Sequence, residues 1–188
     1  APGGSTTPAA VVESKCKTDG SDEASRFADE VQEASSTGKL LILPAGTINL
    51  SGLTATISVA GLRAASPYGE CILDAQAAKY IDLLTITGGD VDLYQIGFRR
   101  WARPIISSAT IGLFSMSRCA LIENRRHVRM EPVAGYPSSS IETLILSKNR
   151  VVDSPGFEIK SAVGEAWAHG NRMRNVSRRT DLWDSVGS

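Results

Sequence analysis

Glu123 and Asp153 are the two carboxylates of this 188-residue chain whose spacing could do chemistry. They occupy matching places in a pattern that recurs along the sequence, so folding would set them one repeat apart on a shared surface. Held that way, one carboxyl group can donate a proton while the other serves as base or nucleophile, which is what hydrolysis of a glycosidic bond requires. Arg100 stands one repeat before them and Asn175 one repeat after. The competing reading is a column of solvated ion pairs. Arg100 would pair with Glu123 and Arg129 with Glu158 across about 4.8 Å, and such surface pairs contribute only about 0–1 kcal/mol. With 20 acidic side chains in the chain, two neighbouring carboxylates arise easily by chance.

The recurring pattern fills residues 91–98, 114–121, 144–151 and 166–173. Each segment places a small or apolar residue first, third and last, which leaves Phe98, Leu121, Val151 and Met173 separated by 23, 30 and 22 residues. A period of that length marks a solenoid, in which each turn buries its inner face only by stacking on its neighbours. A further strand is expected about seven residues later in each turn, at Ile105, Val128 and Phe157. The sixth place holds Ile96, Cys119, Asn149 and Asn171. Stacked asparagines at a bend can bond each other's amides and satisfy backbone groups that the corner leaves unpaired, so these two read as a structural ladder before they read as ligands. The outward places form two columns, Asp92–Ser115–Ile145–Trp167 and Tyr94–Ser117–Ser147–His169. Aromatic rings beside short hydroxyls suit sugar rings. A flat subunit interface has the same composition.

The remaining elements must position these columns. Residues 1–12 read as a flexible arm, and a single β-helix domain is expected over 13–188. An amphipathic helix is predicted over 21–35, with Ala24, Phe27, Val31 and Ala34 on one stripe, capping oxygens from Asp19, Ser21 and Asp22, and Gly38 at its end. Such a helix would cover the open first coil and its unpaired strand edges. Coils are expected over 39–179, less regular at 53–78, where Leu53, Ile57, Val59, Leu62 and Ile72 supply inward residues. Another strand is expected through Ile81, Leu83 and Ile86. The long interval of 30 residues locates an insertion at 129–140, bearing Arg129 and Tyr136. Its prolines, glycine and serines read as a loop leaving the rod, either a recognition loop or a tolerated insertion. Residues 180–188, with Leu182, Trp183 and Val186, would fold over the last coil as a cap.

Composition narrows the partners. Twenty basic and 20 acidic side chains cancel, which removes the electrostatic case for nucleic acid or an anionic membrane. No apolar run reaches the roughly 20 residues of a membrane span. Cys16, Cys71 and Cys119 have neither disulfide-framework nor zinc-ligand spacing and read as buried thiols. His127 and His169 fall on different strands, so no metal site is expected. No cofactor is expected either; calcium is not indicated, since no aspartate cluster of suitable spacing stands near the arginines.

The segment 18–27, Thr-Asp-Gly-Ser-Asp-Glu-Ala-Ser-Arg-Phe, then a helix, then Leu41-Ile42-Leu43-Pro44-Ala45-Gly46-Thr47, resembles the opening of right-handed parallel β-helix proteins of the pectate-lyase-like superfamily, which includes polygalacturonase-type enzymes and phage tailspikes. The resemblance implies an all-β fold, a single-stranded right-handed parallel β-helix of about six coils with an N-terminal capping helix. It implies a polysaccharide partner and an extracellular, secreted or virion-associated setting, with a homotrimer as the assembly to test for. The acid motifs of the polygalacturonase type are not reproduced: Asp90 and Asp92 alternate instead of standing adjacent, and Phe157 replaces the histidine between Gly156 and Glu158. The expected function is therefore binding or degradation of an extracellular glycan. Glu123 and Asp153 are the candidate catalytic pair, and Asp92, Tyr94, Arg125, Arg126, Arg129, Tyr136, Trp167 and His169 the candidate substrate contacts. The alternative is a non-catalytic structural β-helix of a virion, tail or surface assembly.

Overall fold

The structure, a computed structural model, describes residues 10–131 and 140–174. Tyr136, Asn175, the expected C-terminal cap and most of the expected arm lie outside the described residues.

The chain is a parallel β-solenoid with three faces. An initial strand β1 (Val11–Glu13) is followed by helix α1 (Ala24–Thr37). The coils follow in order: β2 (Leu40–Ile42), β3 (Gly46–Asn49) and β4 (Ile57–Val59); then β5 (Leu62–Ala65), β6 (Cys71–Asp74) and β7 (Leu84–Ile86); then β8 (Val91–Tyr94), β9 (Ile96–Arg99) and β10 (Ile105–Ser107). The fourth and fifth coils are β11 (Ile111–Ser117), β12 (Ala120–Ile122), β13 (Val128–Met130) and β14 (Ser140–Ser147), β15 (Arg150–Val152), β16 (Phe157–Ile159). A sixth begins with β17 (Ala162–His169) and β18 (Arg172–Arg174). First, second and third strands of successive coils pair into three parallel sheets of seven, six and five strands, β1 opening the first sheet.

The inner columns follow the sequence pattern. Ile48, Leu73, Phe98, Leu121, Val151 and Met173 stand in direct register. The column therefore starts two coils earlier than the obvious repeat, at intervals of 25 and 25 residues. The third sheet aligns Ile57, Leu84, Ile105, Val128 and Phe157. Phe27, Phe98, Trp101, Phe114 and Phe157 are fully buried within one continuous core. Each such ring, truncated to alanine, would cost about 3–5 kcal/mol.

Several expectations need correction. Each eight-residue repeat is two strands and a corner, because the fifth residue turns the chain: Gln95, Arg118 and Lys148 take left-handed backbone with φ of 60°, 53° and 54°, and Gly170 with 66°. Val11 and Val12, expected in the arm, belong instead to β1, which pairs with β2. Helix α1 starts three residues later than expected and buries Glu30 beside the apolar stripe. Asp22 Oδ1 accepts the Ala24 N–H, but Glu23 at the N-cap makes no side-chain cap bond; Gly38 ends the helix in left-handed conformation, as its type predicts. Ile72 points outward and is half-buried; Cys71 and Leu73 face in. Residues 79–83 form a loop, with β7 following, because Ile81 and Leu83 sit where the chain bends over a longer corner. Arg129 and Met130 are strand residues of β13, and Ser140 opens β14.

The helix does cover the first coil. Gln32 Nε2 donates to the Ser58 carbonyl at 2.9 Å and Ser35 Oγ to the Gly61 carbonyl at 2.6 Å, satisfying groups on the edge of the third sheet and at the turn beside it. Buried Glu30 anchors the segment before the helix: it accepts from Ser14 Oγ at 2.6 Å and from the Lys15 N–H at 2.7 Å.

Candidate functional site

The candidate residues fall on three separate surfaces. Asp92, Ser115, Ile145 and Trp167 form one outward column of the first sheet, and Tyr94, Ser117, Ser147 and His169 the next, in the register read from sequence. Trp167 is 58 % exposed and Tyr94 37 %. Three coils separate Asp92 from Trp167, roughly 14 Å at the parallel strand spacing, so the aromatics bracket a run of Ser117 and Ser147, whose hydroxyls bond each other at 2.9 Å. Arg129 lies on the outer face of the third sheet. It is engaged there, its Nη2 2.7 Å from Glu131 and its Nε 3.3 Å from Glu158.

Glu123 and Asp153 occupy equivalent places at the corner between the second and third sheets. Each follows a paired strand residue, Ile122 or Val152, and each takes left-handed backbone, φ 51° and 49°, as does Arg100 with 66° one coil earlier. Both side chains are exposed. Glu123 is clamped by Arg99, Nη2 to Oε1 at 3.2 Å, and by Arg100, Nε to Oε2 at 3.1 Å. Hydrogen bonds from Arg99 and then Arg100 hold its carboxyl below the usual range. A carboxyl so held is ionised and cannot serve as a neutral-pH proton donor; it retains the chemistry of a base or of an ion-pair anchor.

Beside this corner lies a cleft that the sequence pattern marks only in part. It is about 390 Å³ and is lined by Tyr80, Asp82, Ala102, Arg103, Arg125 and Arg126. Three loops on successive coils build it: the one before β7, the one before β10 and the one before β13. They are tied edge to edge by backbone bonds, Ala102 N–H to Ile81 O at 3.0 Å, Leu83 N–H to Arg103 O at 3.0 Å and Arg125 N–H to Trp101 O at 2.9 Å. Underneath, Trp101 is fully buried and donates Nε1–H to the Leu73 carbonyl at 2.9 Å. The Arg125 guanidinium sits 4.0 Å over the Tyr80 ring centroid, a cation–π contact that orients both. Arg103 Nε is 3.7 Å from Asp82 Oδ1 and, being buried, lacks a hydrogen-bond partner. Tyr80 and Asp82 were missed from sequence because they lie in the irregular coil; only their nearness to Arg125 and Arg126 in the fold reveals them.

The asparagine ladder has the structural form expected, through backbone groups. Asn171 Oδ1 accepts the Asn149 N–H at 3.0 Å and Asn149 Oδ1 accepts the Cys119 N–H at 2.8 Å, while their amide nitrogens donate to Leu146 O and Met116 O. Asn124 does the same at the cleft corner, with Ser154 in the place of the next asparagine. Among the described residues no group of three or more His, Cys, Asp or Glu is arranged to hold a metal ion, and no helix is long and apolar enough to cross a membrane. No protein-family model, curated protein or solved structure matches the chain.

Proposed function

We propose that this solenoid binds a polysaccharide, gripping it at the arginine–tyrosine cleft, in keeping with the likeness of its opening segment to pectate-lyase-like β-helices. The observation that carries the reading is the cleft itself: an exposed aromatic ring and three guanidinium groups converge on one concavity held by a rigid, bonded corner. A sugar stacks its C–H face on such a ring, and its polar or anionic substituents take up the surrounding donors.

Binding is the activity proposed. Glu123, ionised and double-clamped, could enter a hydrolytic pair only as base or nucleophile, with the acid role left to Asp153. The test is to titrate acidic and neutral polysaccharides into the protein and its Tyr80→Ala variant by calorimetry, with product analysis for cleavage. Binding of at least one polysaccharide, weakened about tenfold or more by Tyr80→Ala, is expected. No binding across the panel, or binding indifferent to Tyr80, would end the proposal. Glycan cleavage that survives Glu123→Gln with Asp153→Asn would remove those two as catalysts.

A further inference from the structure

We infer that the cleft is a subsite for a tetrahedral oxyanion, a sulfate or phosphate ester carried on a sugar, and not for a planar carboxylate. The inference rests on the reading of the cleft as a glycan site and specifies its ligand. Charge is the first argument. Arg103, Arg125 and Arg126 line the cleft with Asp82 as the one acidic lining residue, so three positive charges face one negative. Several other arginines are matched: Arg99 and Arg100 share Glu123 and Asp74, Arg129 takes Glu131 and Glu158, and Arg150 takes Glu70. Arg63, Arg118, Arg172 and Arg174 also lack an ion pair among the described residues, but none of them lines this cleft. Arg125 makes only its ring contact with Tyr80, and Arg126 has no hydrogen-bond or ion-pair partner among the described residues.

Geometry is the second argument. A carboxylate presents two coplanar oxygens, which a single guanidinium fork satisfies. Guanidinium groups carried on two loops, one coil apart, are separate sets of donors and suit an anion whose three free oxygens diverge. Arg103 already faces Asp82, its Nε 3.7 Å from Oδ1, which leaves Arg125 and Arg126 as the unmatched charges of the cleft. Tyr80, 82 % exposed, is placed to flank the sugar bearing the ester.

The experiment uses the full chain. Sodium sulfate, sodium phosphate and sodium acetate, at equal ionic strength, are followed by amide and arginine Nε–H chemical shifts, and each is used to compete with bound polysaccharide. A sulfated galactan, a phosphorylated mannan and a polygalacturonate serve as ligands. Sulfate or phosphate should shift the Arg103, Arg126 and Tyr80 signals and compete at least tenfold better than acetate. Arg126→Gln should weaken binding of the esterified glycan about tenfold or more, with Arg118→Gln, on the opposite corner, as the unchanged control. Acetate competing as well as sulfate, or polygalacturonate binding as tightly as the esterified chains, overturns the inference while leaving glycan binding standing. Sulfate binding at the cleft with no polysaccharide bound would do the reverse: the oxyanion site holds and the glycan reading fails. Preference between the sulfated and the phosphorylated ligand names the ester.

Discussion

Asn124 holds Trp101 at the cleft corner by both ends of its amide: Oδ1 accepts the Trp101 backbone N–H at 3.0 Å, and Nδ2 donates to the Phe98 carbonyl at 2.9 Å. Both backbone groups are buried and have no water to fall back on. Asn124→Ala should therefore cost about 2–4 kcal/mol, since each orphaned group carries a penalty of about 1–3 kcal/mol. Asn124→Asp should fare no better at neutral pH, because a carboxylate cannot donate to Phe98 O. Urea unfolding measures both; a loss below about 0.5 kcal/mol would show that the corner stands without the amide.

Phe27 anchors the helix that closes the first coil, with 2 % of its surface exposed. Phe27→Ala should cost about 3–5 kcal/mol. Because α1 contacts only the first coils, hydrogen exchange should accelerate there before it does in β11–β16. Uniform acceleration along the chain would contradict a locally docked cap.

Glu123 links stability to pH. Its carboxyl is held below the ordinary glutamate value of 4.5 by the hydrogen bonds from Arg99 and Arg100. A depressed folded-state pKa gives stability that is present above the unfolded value and is lost as pH falls through the folded one. The clamp should thus be intact at pH 7 and fail only below about pH 4.5. The side chain is 41 % exposed, so solvent screening limits the effect to about 1 kcal/mol or less. Glu123→Gln should lower the melting temperature slightly at pH 7 and converge with the parent once acid has protonated the folded-state carboxyl. A variant that differs equally at pH 7 and in acid would assign the effect to packing.

The three thiols should be silent in the folded protein. Burial pushes Cys16, Cys71 and Cys119 each to about 12, so almost no thiolate exists at pH 8. Iodoacetamide should label none of them in native buffer and all three in urea, read by intact mass. Native labelling of Cys16, whose segment lies outside the coils, would show that the Glu30-anchored stretch opens.

The solenoid was legible because its signal is carried by many residues at once. Phe98, Leu121, Val151 and Met173 recur with apolar companions two places apart, and only stacking buries such a set. The third strand at Ile105, Val128 and Phe157 followed from the same phase. The second coil was harder: Ile48 and Leu73 keep the register, but Ile72 is more apolar than its outward position suggests, and the longer loop after Asp74 hides the period. Charge pairs one coil apart were readable too, Arg100 with Glu123 and Arg129 with Glu158. The cleft was only half visible. Arg125 and Arg126 stand out in sequence, but Tyr80, Asp82 and Arg103 join them only because corner loops of unequal length fold onto one another. Ser154 likewise conceals the second ladder, since a hydroxyl there does an asparagine's work.

Arg150 and Glu70 meet across three coils, Arg150 standing in register with Ala120 and Gly97, small residues that keep the strip low. Most other contacts in the rod join a coil only to the one above or below. Such a body is modular in length: a unit of about 25 residues could be removed or duplicated and the flanking faces would still match. Among the described residues the Arg150–Glu70 clasp departs from that pattern, a ruler that fits one spacing alone, so gaining or losing a coil between them would break it.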